Sequence, residues 1–130
     1  MSNPWQQLVA DFQRMIGSAP PSIVTRLRKD GQAALRYRLI AEEAHETLDA
    51  ISKDDMVGIV DGLCDLIYVC LGTACEMGID LDAAFKEVHR SNLEKLGGGF
   101  DANGKWQKPP GWRAPDLGAV LLAQGWKEAA

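Results

Sequence analysis

The chain has 130 residues, enough for one domain with one core and too few for two. Hydrophobic residues make up 46% and charged ones 25%, a balance that excludes a disordered or low-complexity polymer. The net charge of −4 is unevenly spread: residues 31–65 carry Arg36, Arg38 and Lys53 against Glu42, Glu43, Glu46, Asp49, Asp54, Asp55, Asp61 and Asp65. An acidic centre does not suit direct nucleic-acid binding, which needs a basic face, but it suits metal cations. The start Met1-Ser2-Asn3-Pro4-Trp5 lacks the basic residues and apolar run of a secretory signal. The most apolar stretch, Met56 to Ile79, is interrupted by Asp61, Asp65 and Glu76, which predicts a buried helix and no membrane span. Cys64, Cys70 and Cys75 are too few and too close for a secreted disulfide framework, and they lack the partners of a zinc site. A cytoplasmic protein is expected.

Asn3 before Pro4 reads as an N-cap with proline at the first helical position, opening a helix to about Ile16 that Gly17 closes. Ser18-Ala19-Pro20-Pro21-Ser22 is a loop, and Ile23 to Lys29 could form a short helical stretch before the break at Asp30-Gly31. A second helix covers Gln32 to Ser52. Lys53-Asp54-Asp55 connects it to a third, Met56 to about Met77, ended by Gly78. Asp80 or Asp82 caps a fourth helix that runs to Leu96 and stops at Gly97-Gly98-Gly99. A small hairpin is expected around Asp101-Ala102-Asn103-Gly104, and a last short helix near Asp116. These elements predict an all-α protein: one domain over residues 1–130, a bundle of four main helices with a core at about 32–96 and an irregular C-terminal extension.

The acidic residues of the second and third helices sit where solvating charges would not. At ~100° per residue, with Glu42 as origin, Glu46 falls at about 40° and Glu43 at about 100°, on one face with Leu35, Leu39 and Ala50. Around Asp61 and Asp65 the third helix is apolar nearly all round, and these two aspartates, four residues apart, point the same way. Five carboxylates on facing helices repel one another unless a cation lies between them, and hard oxygen ligands favour magnesium. The plainer alternative is a set of surface charges with one or two salt-bridged core aspartates. A di-iron site is disfavoured: Glu42-x-x-His45 has no second such pair, since Lys86 stands three residues before His89.

Together these motifs resemble a known family. Glu42-Glu43-Ala44-His45-Glu46 followed by a second acidic helix resembles the all-α nucleoside triphosphate pyrophosphohydrolases of the MazG and phosphoribosyl-ATP pyrophosphohydrolase-like superfamily, whose pattern is EExxE and then ExxD. Asp61-Gly62-Leu63-Cys64-Asp65-Leu66-Ile67-Tyr68-Val69, Gly78-Ile79-Asp80, Val88 to Leu96 and Gly104-Lys105-Trp106-Gln107-Lys108-Pro109 are most similar to the dUTPase-like members. The likeness spans about residues 32–117. One departure stands out: three residues before Asp65, where the pattern has glutamate, this chain has Gly62, with Asp61 one residue away.

The resemblance implies magnesium-dependent hydrolysis of a nucleoside triphosphate, a deoxynucleotide by preference, between the α and β phosphates, in nucleotide-pool control. Manganese is a possible substitute. It implies metal ligation by Glu42, Glu43, Glu46, Asp61 and Asp65, with Glu43 at the edge of the group as general base, and phosphate contacts from Asn92 and Lys95. The alternative is a catalytically silent interaction module of the same fold. The third helix needs about four neighbours, and the first, second and fourth supply three. A homodimer or dimer of dimers is therefore expected, as the resemblance also implies. Three of the four tryptophans, Trp106, Trp112 and Trp126, lie in the tail, where docking onto the bundle or a partner is expected.

Overall fold

The computed structural model describes residues 3–128. It contains α1 (Pro4–Met15), α2 (Gln32–Ser52), α3 (Met56–Glu76), α4 (Leu81–Leu93), a 3-10 turn (Glu94–Gly97), strands β1 (Gly99–Phe100) and β2 (Trp106–Gln107), and α5 (Leu117–Ala123). The all-α class follows from local chemistry. Side-chain oxygens of Asn3, Asp55, Asp80 and Asp116 accept backbone N–H bonds at the starts of α1, α3, α4 and α5. The hairpin pairs Gly99 with Gln107 and Phe100 with Trp106, and Asp101 Oδ1 closes its turn by accepting from Asn103 and Lys105 N–H.

Two local expectations give way. Ile23 to Lys29 is not helical; Thr25 N–H instead donates to Met77 O, fastening this segment along the end of α3. The fourth helix stops at Leu93 and tightens into the 3-10 turn before the glycines.

α2 and α3 run antiparallel in close contact. Gln32 Nε2 donates to Glu76 Oε2 at 2.6 Å at one end, and Ala50 faces Gly58 at the other. α1 crosses α3, and Val9, Ala10, Leu71 and Cys75 form a small core against which Leu81 packs. Burial pushes the Cys75 and Cys70 thiols up, in keeping with packing groups. Gln6, fully buried, donates to Ile79 O at 2.7 Å and accepts from Leu81 N–H at 3.0 Å. Gln124 grips the same junction from the tail, accepting from Asp80 N–H and donating to Asp80 O.

α4 departs from the expected arrangement. Beyond its first residue it packs with α5 and the 3-10 turn, and it has at most marginal contact with α2 and α3. Among the described residues α3 therefore has two close helical neighbours, not three. The expected burial of α3 fails for the same reason: Val57 is 81% exposed and Val60 53%. By length and composition alone α3 would also pass as a membrane span. The tail docks on α4, as one of its two expected modes. Trp112 Nε1 donates to Ser91 O, Ser91 Oγ to Arg113 O, and Trp106 Nε1 to Lys95 O.

Candidate active site

The helix wheel placed the glutamates against an apolar face centred near Leu35 and Leu39. Of that face Ala50 does meet α3, and Thr47 and Arg36 complete the contact; at ~100° per residue these three lie between about 80° and 140° from Glu42, with Glu43 at about 100° among them. That rotation decides which carboxylates enter. Glu43, at the edge of the group on the wheel, lies at its centre and is half-buried, as is Asp65, while Glu42, Glu46, Asp61 and Leu35 are exposed.

The Glu43 carboxyl is pushed above its ordinary range first by burial, then by the charges of Glu46 and Asp65, by a hydrogen bond shared with Glu46, and by the charge of Asp61. The structure thus brings four of the five predicted carboxylates into electrostatic contact: Glu43, Glu46, Asp61 and Asp65. Glu42 is not among the main groups acting on Glu43. Glu43 Oε2 is buried and has no hydrogen-bond partner, so one oxygen of the central carboxylate is orphaned. Oxygen donors of one charge around an orphaned anionic oxygen suit a hard divalent cation. Among the described residues, however, no three His, Cys, Asp or Glu side chains already converge on one point as a finished coordination shell. His45 and His89 are both exposed.

Two features near the carboxylates escaped the sequence reading. Thr47 is buried, and its Oγ1 donates to Glu43 O at 2.6 Å. Gly62 lies against it: a Cβ at position 62 would stand 2.5 Å from Thr47 Oγ1 and 3.0 Å from Thr47 Cα. The place of the glutamate missing from the ExxD pattern is therefore filled by the neighbouring helix. The signal was available, since Thr47 lies only about 40° from Glu43 on the wheel.

Asn92 and Lys95 stand apart, on the arm formed by α4 and the tail. Asn92 is exposed. Lys95, in the 3-10 turn, holds its Nζ 5.2 Å from the centre of the Trp112 ring, and Lys108 Nζ lies 4.5 Å from the same ring. Within one chain the pair is not brought onto the carboxylates by packing of α4 against α2 or α3. The arm is braced by charge. Glu87 Oε1 accepts from Arg90 and from Asp116 N–H, and Glu94 pairs with both Arg90 and Arg113.

A protein of Acanthamoeba polyphaga mimivirus, described as "Uncharacterized protein L479", is 30% identical over 93 residues, covering 69% of this chain and 35% of the viral protein. The present chain thus spans about a third of that relative's length. Residues 7–92 match the phosphoribosyl-ATP pyrophosphohydrolase family, a stretch holding α2, α3 and all four clustered carboxylates. The chain belongs to the phosphoribosyl-ATP pyrophosphohydrolase family, within the all-α MazG-like superfamily.

Proposed function

We propose that this protein hydrolyses a nucleoside triphosphate between its α and β phosphates, giving the monophosphate and pyrophosphate. The observation that carries this reading is the half-buried Glu43, with an orphaned oxygen, facing Glu46, Asp61 and Asp65 across two helices of a pyrophosphohydrolase family member. Such a concentration of like charge is costly without a cation, and a triphosphate brings divalent cations with it. Glu43, Glu46, Asp61 and Asp65 would hold magnesium or manganese, with Glu42 at the rim. The bound ion supplies charge neutralisation and acidification of a water.

The chain's own groups do the rest. Glu43, at the centre of the group with one oxygen unpartnered, is the carboxylate placed to accept the proton of an attacking water. Asn92 and Lys95 would meet phosphate oxygens from the arm, Lys95 leaving its place over Trp112 to do so.

The arm also supports a homodimer or a dimer of dimers. α3 presents Val57, Val60 and Leu63 to solvent, and α1 presents Trp5, Leu8 and Met15. Uncovered apolar surface of this extent is closed by a symmetric second copy, which could bring Asn92 and Lys95 to a neighbour's carboxylates.

The test is magnesium-dependent pyrophosphate release from a panel of ribo- and deoxyribonucleoside triphosphates with dUTP included, and from phosphoribosyl-ATP. Turnover of a deoxynucleotide is expected. Turnover of phosphoribosyl-ATP alone would reassign the substrate, and no turnover of any compound would leave a silent interaction module of the same fold.

A further inference from the structure

Position 62 is a tight contact between α2 and α3 beside the carboxylates. Gly62 is buried, and the atoms a side chain there would meet belong to Thr47, including its backbone Cα at 3.0 Å. The closest of these atoms, Thr47 Oγ1 at 2.5 Å, belongs to a β-branched side chain whose hydroxyl is already held by Glu43 O, so even one methyl group at position 62 would press α2 and α3 apart. Thr47 lies one turn beyond Glu43 and next to Glu46, while Gly62 adjoins Asp61 and lies three residues before Asp65. The contact thus sits in the middle of the four carboxylates. Gly72 is also buried on α3 but meets something different: the movable ends of Arg36, at 2.7 Å, and Gln13, at 3.2 Å.

We propose that Gly62 is a positioning residue for metal binding. Its missing side chain lets Thr47 seat on α3, and that seating sets the spacing at which Glu43 and Glu46 share a cation with Asp61 and Asp65. The inference rests on the functional reading above and adds to it. A carboxylate at position 62 would collide with α2, so the acidic group on this turn of α3 is Asp61, whose charge acts on Glu43.

The test is Mn2+ affinity, measured by electron paramagnetic resonance on the nucleotide-free full chain, alongside circular dichroism. Gly62→Ala should weaken Mn2+ binding about tenfold or more. The swap variant Gly62→Ala/Thr47→Gly, which returns the space on the opposite helix, should restore most of it. Gly72→Ala, at the same kind of helix contact but against side-chain tips, should stay within about twofold of the wild type in affinity. Should Gly62→Ala not fold, Thr47→Leu applies the same wedge from α2 and should show the same loss. Wild-type Mn2+ affinity in Gly62→Ala, or in Thr47→Leu, overturns the inference. So do equal losses in Gly62→Ala and Gly72→Ala, which would reduce the contact to general stability. A wild-type chain that binds no Mn2+ overturns the functional reading itself and this inference with it.

Discussion

The side-chain amide of Gln6 and the backbone N–H of Leu81 meet at 3.0 Å inside the protein, joining the first helix to the start of α4. The same amide donates to Ile79 O, so a single side chain satisfies both edges of the α3–α4 junction. Buried amides of this kind are expensive to orphan. Gln6→Leu leaves the Leu81 N–H and the Ile79 carbonyl without their partner and should cost about 2–5 kcal/mol of stability in urea denaturation. A loss below about 1 kcal/mol would show that another group or water takes over the junction.

The carboxylates can be ranked. Glu46→Ala and Asp65→Ala should abolish magnesium-dependent turnover without unfolding the chain, because each relieves repulsion on Glu43 in the metal-free state. Asp61→Asn should cost far more activity than Asp49→Asn, since Asp49 is exposed and paired with Lys53 at 2.8 Å. Equal, small effects of the two asparagine variants would remove Asp61 from the site.

Two carboxyls predict opposite responses to acid. Glu87 is held down to about 2, against an ordinary 4.5, by the hydrogen bond from Arg90 and then by Asp116 N–H. Its folded value lies below its unfolded one, so its contribution is present above about 4.5 and is lost as pH falls toward 2. Protection of the Asp116 amide against hydrogen exchange should fade in that window, and in Glu87→Gln it should be weak at every pH. Glu43 is raised, so the metal-free chain is relieved of its strain below the ordinary value of 4.5 and is destabilised as pH rises through the folded value. Divalent cations should oppose that loss. A metal-free stability profile in which Glu43→Gln leaves the alkaline side unchanged would contradict this assignment.

Self-association is the fourth expectation. Val60→Lys/Leu63→Lys places charge on the exposed apolar side of α3 and should shift the light-scattering mass from a multiple of the chain to a single chain at micromolar concentration. A wild-type chain already monomeric and fully active would sink the dimer. Partition of the wild type into lipid vesicles would assign the apolar face of α3 to a membrane instead.

Much of this architecture was legible because its signals are local. Gln32–Ser52 can be read directly from the sequence, and the capping aspartates mark where α3, α4 and α5 begin. The grouping of four carboxylates was legible too, through acidic residues on a helix that should have none. What stayed hidden was rotation. A wheel orders side chains around one axis but does not say which bearing faces the neighbour, and here Gly62 and Thr47 chose a bearing that centres Glu43 and leaves Glu42 outside. The placement of α4 was hidden for a related reason. Its direction depends on Gln6 and Gln124, polar residues 75 and 44 positions from the backbone groups they hold, and no periodicity within α4 encodes them.

Those separations set an order of events as the chain is synthesised. The α1–α3 core and the Gln6 bonds can form once residue 81 is available, but the junction's second grip waits for Gln124. Until then the arm is anchored to the bundle through Gln6 alone, although the Arg113 and Asp116 contacts within it, from residues made earlier, can already form. A nascent chain paused shortly before Gln124 should therefore carry a finished carboxylate group and an arm still free to swing, so that the carboxylates gather before the arm docks.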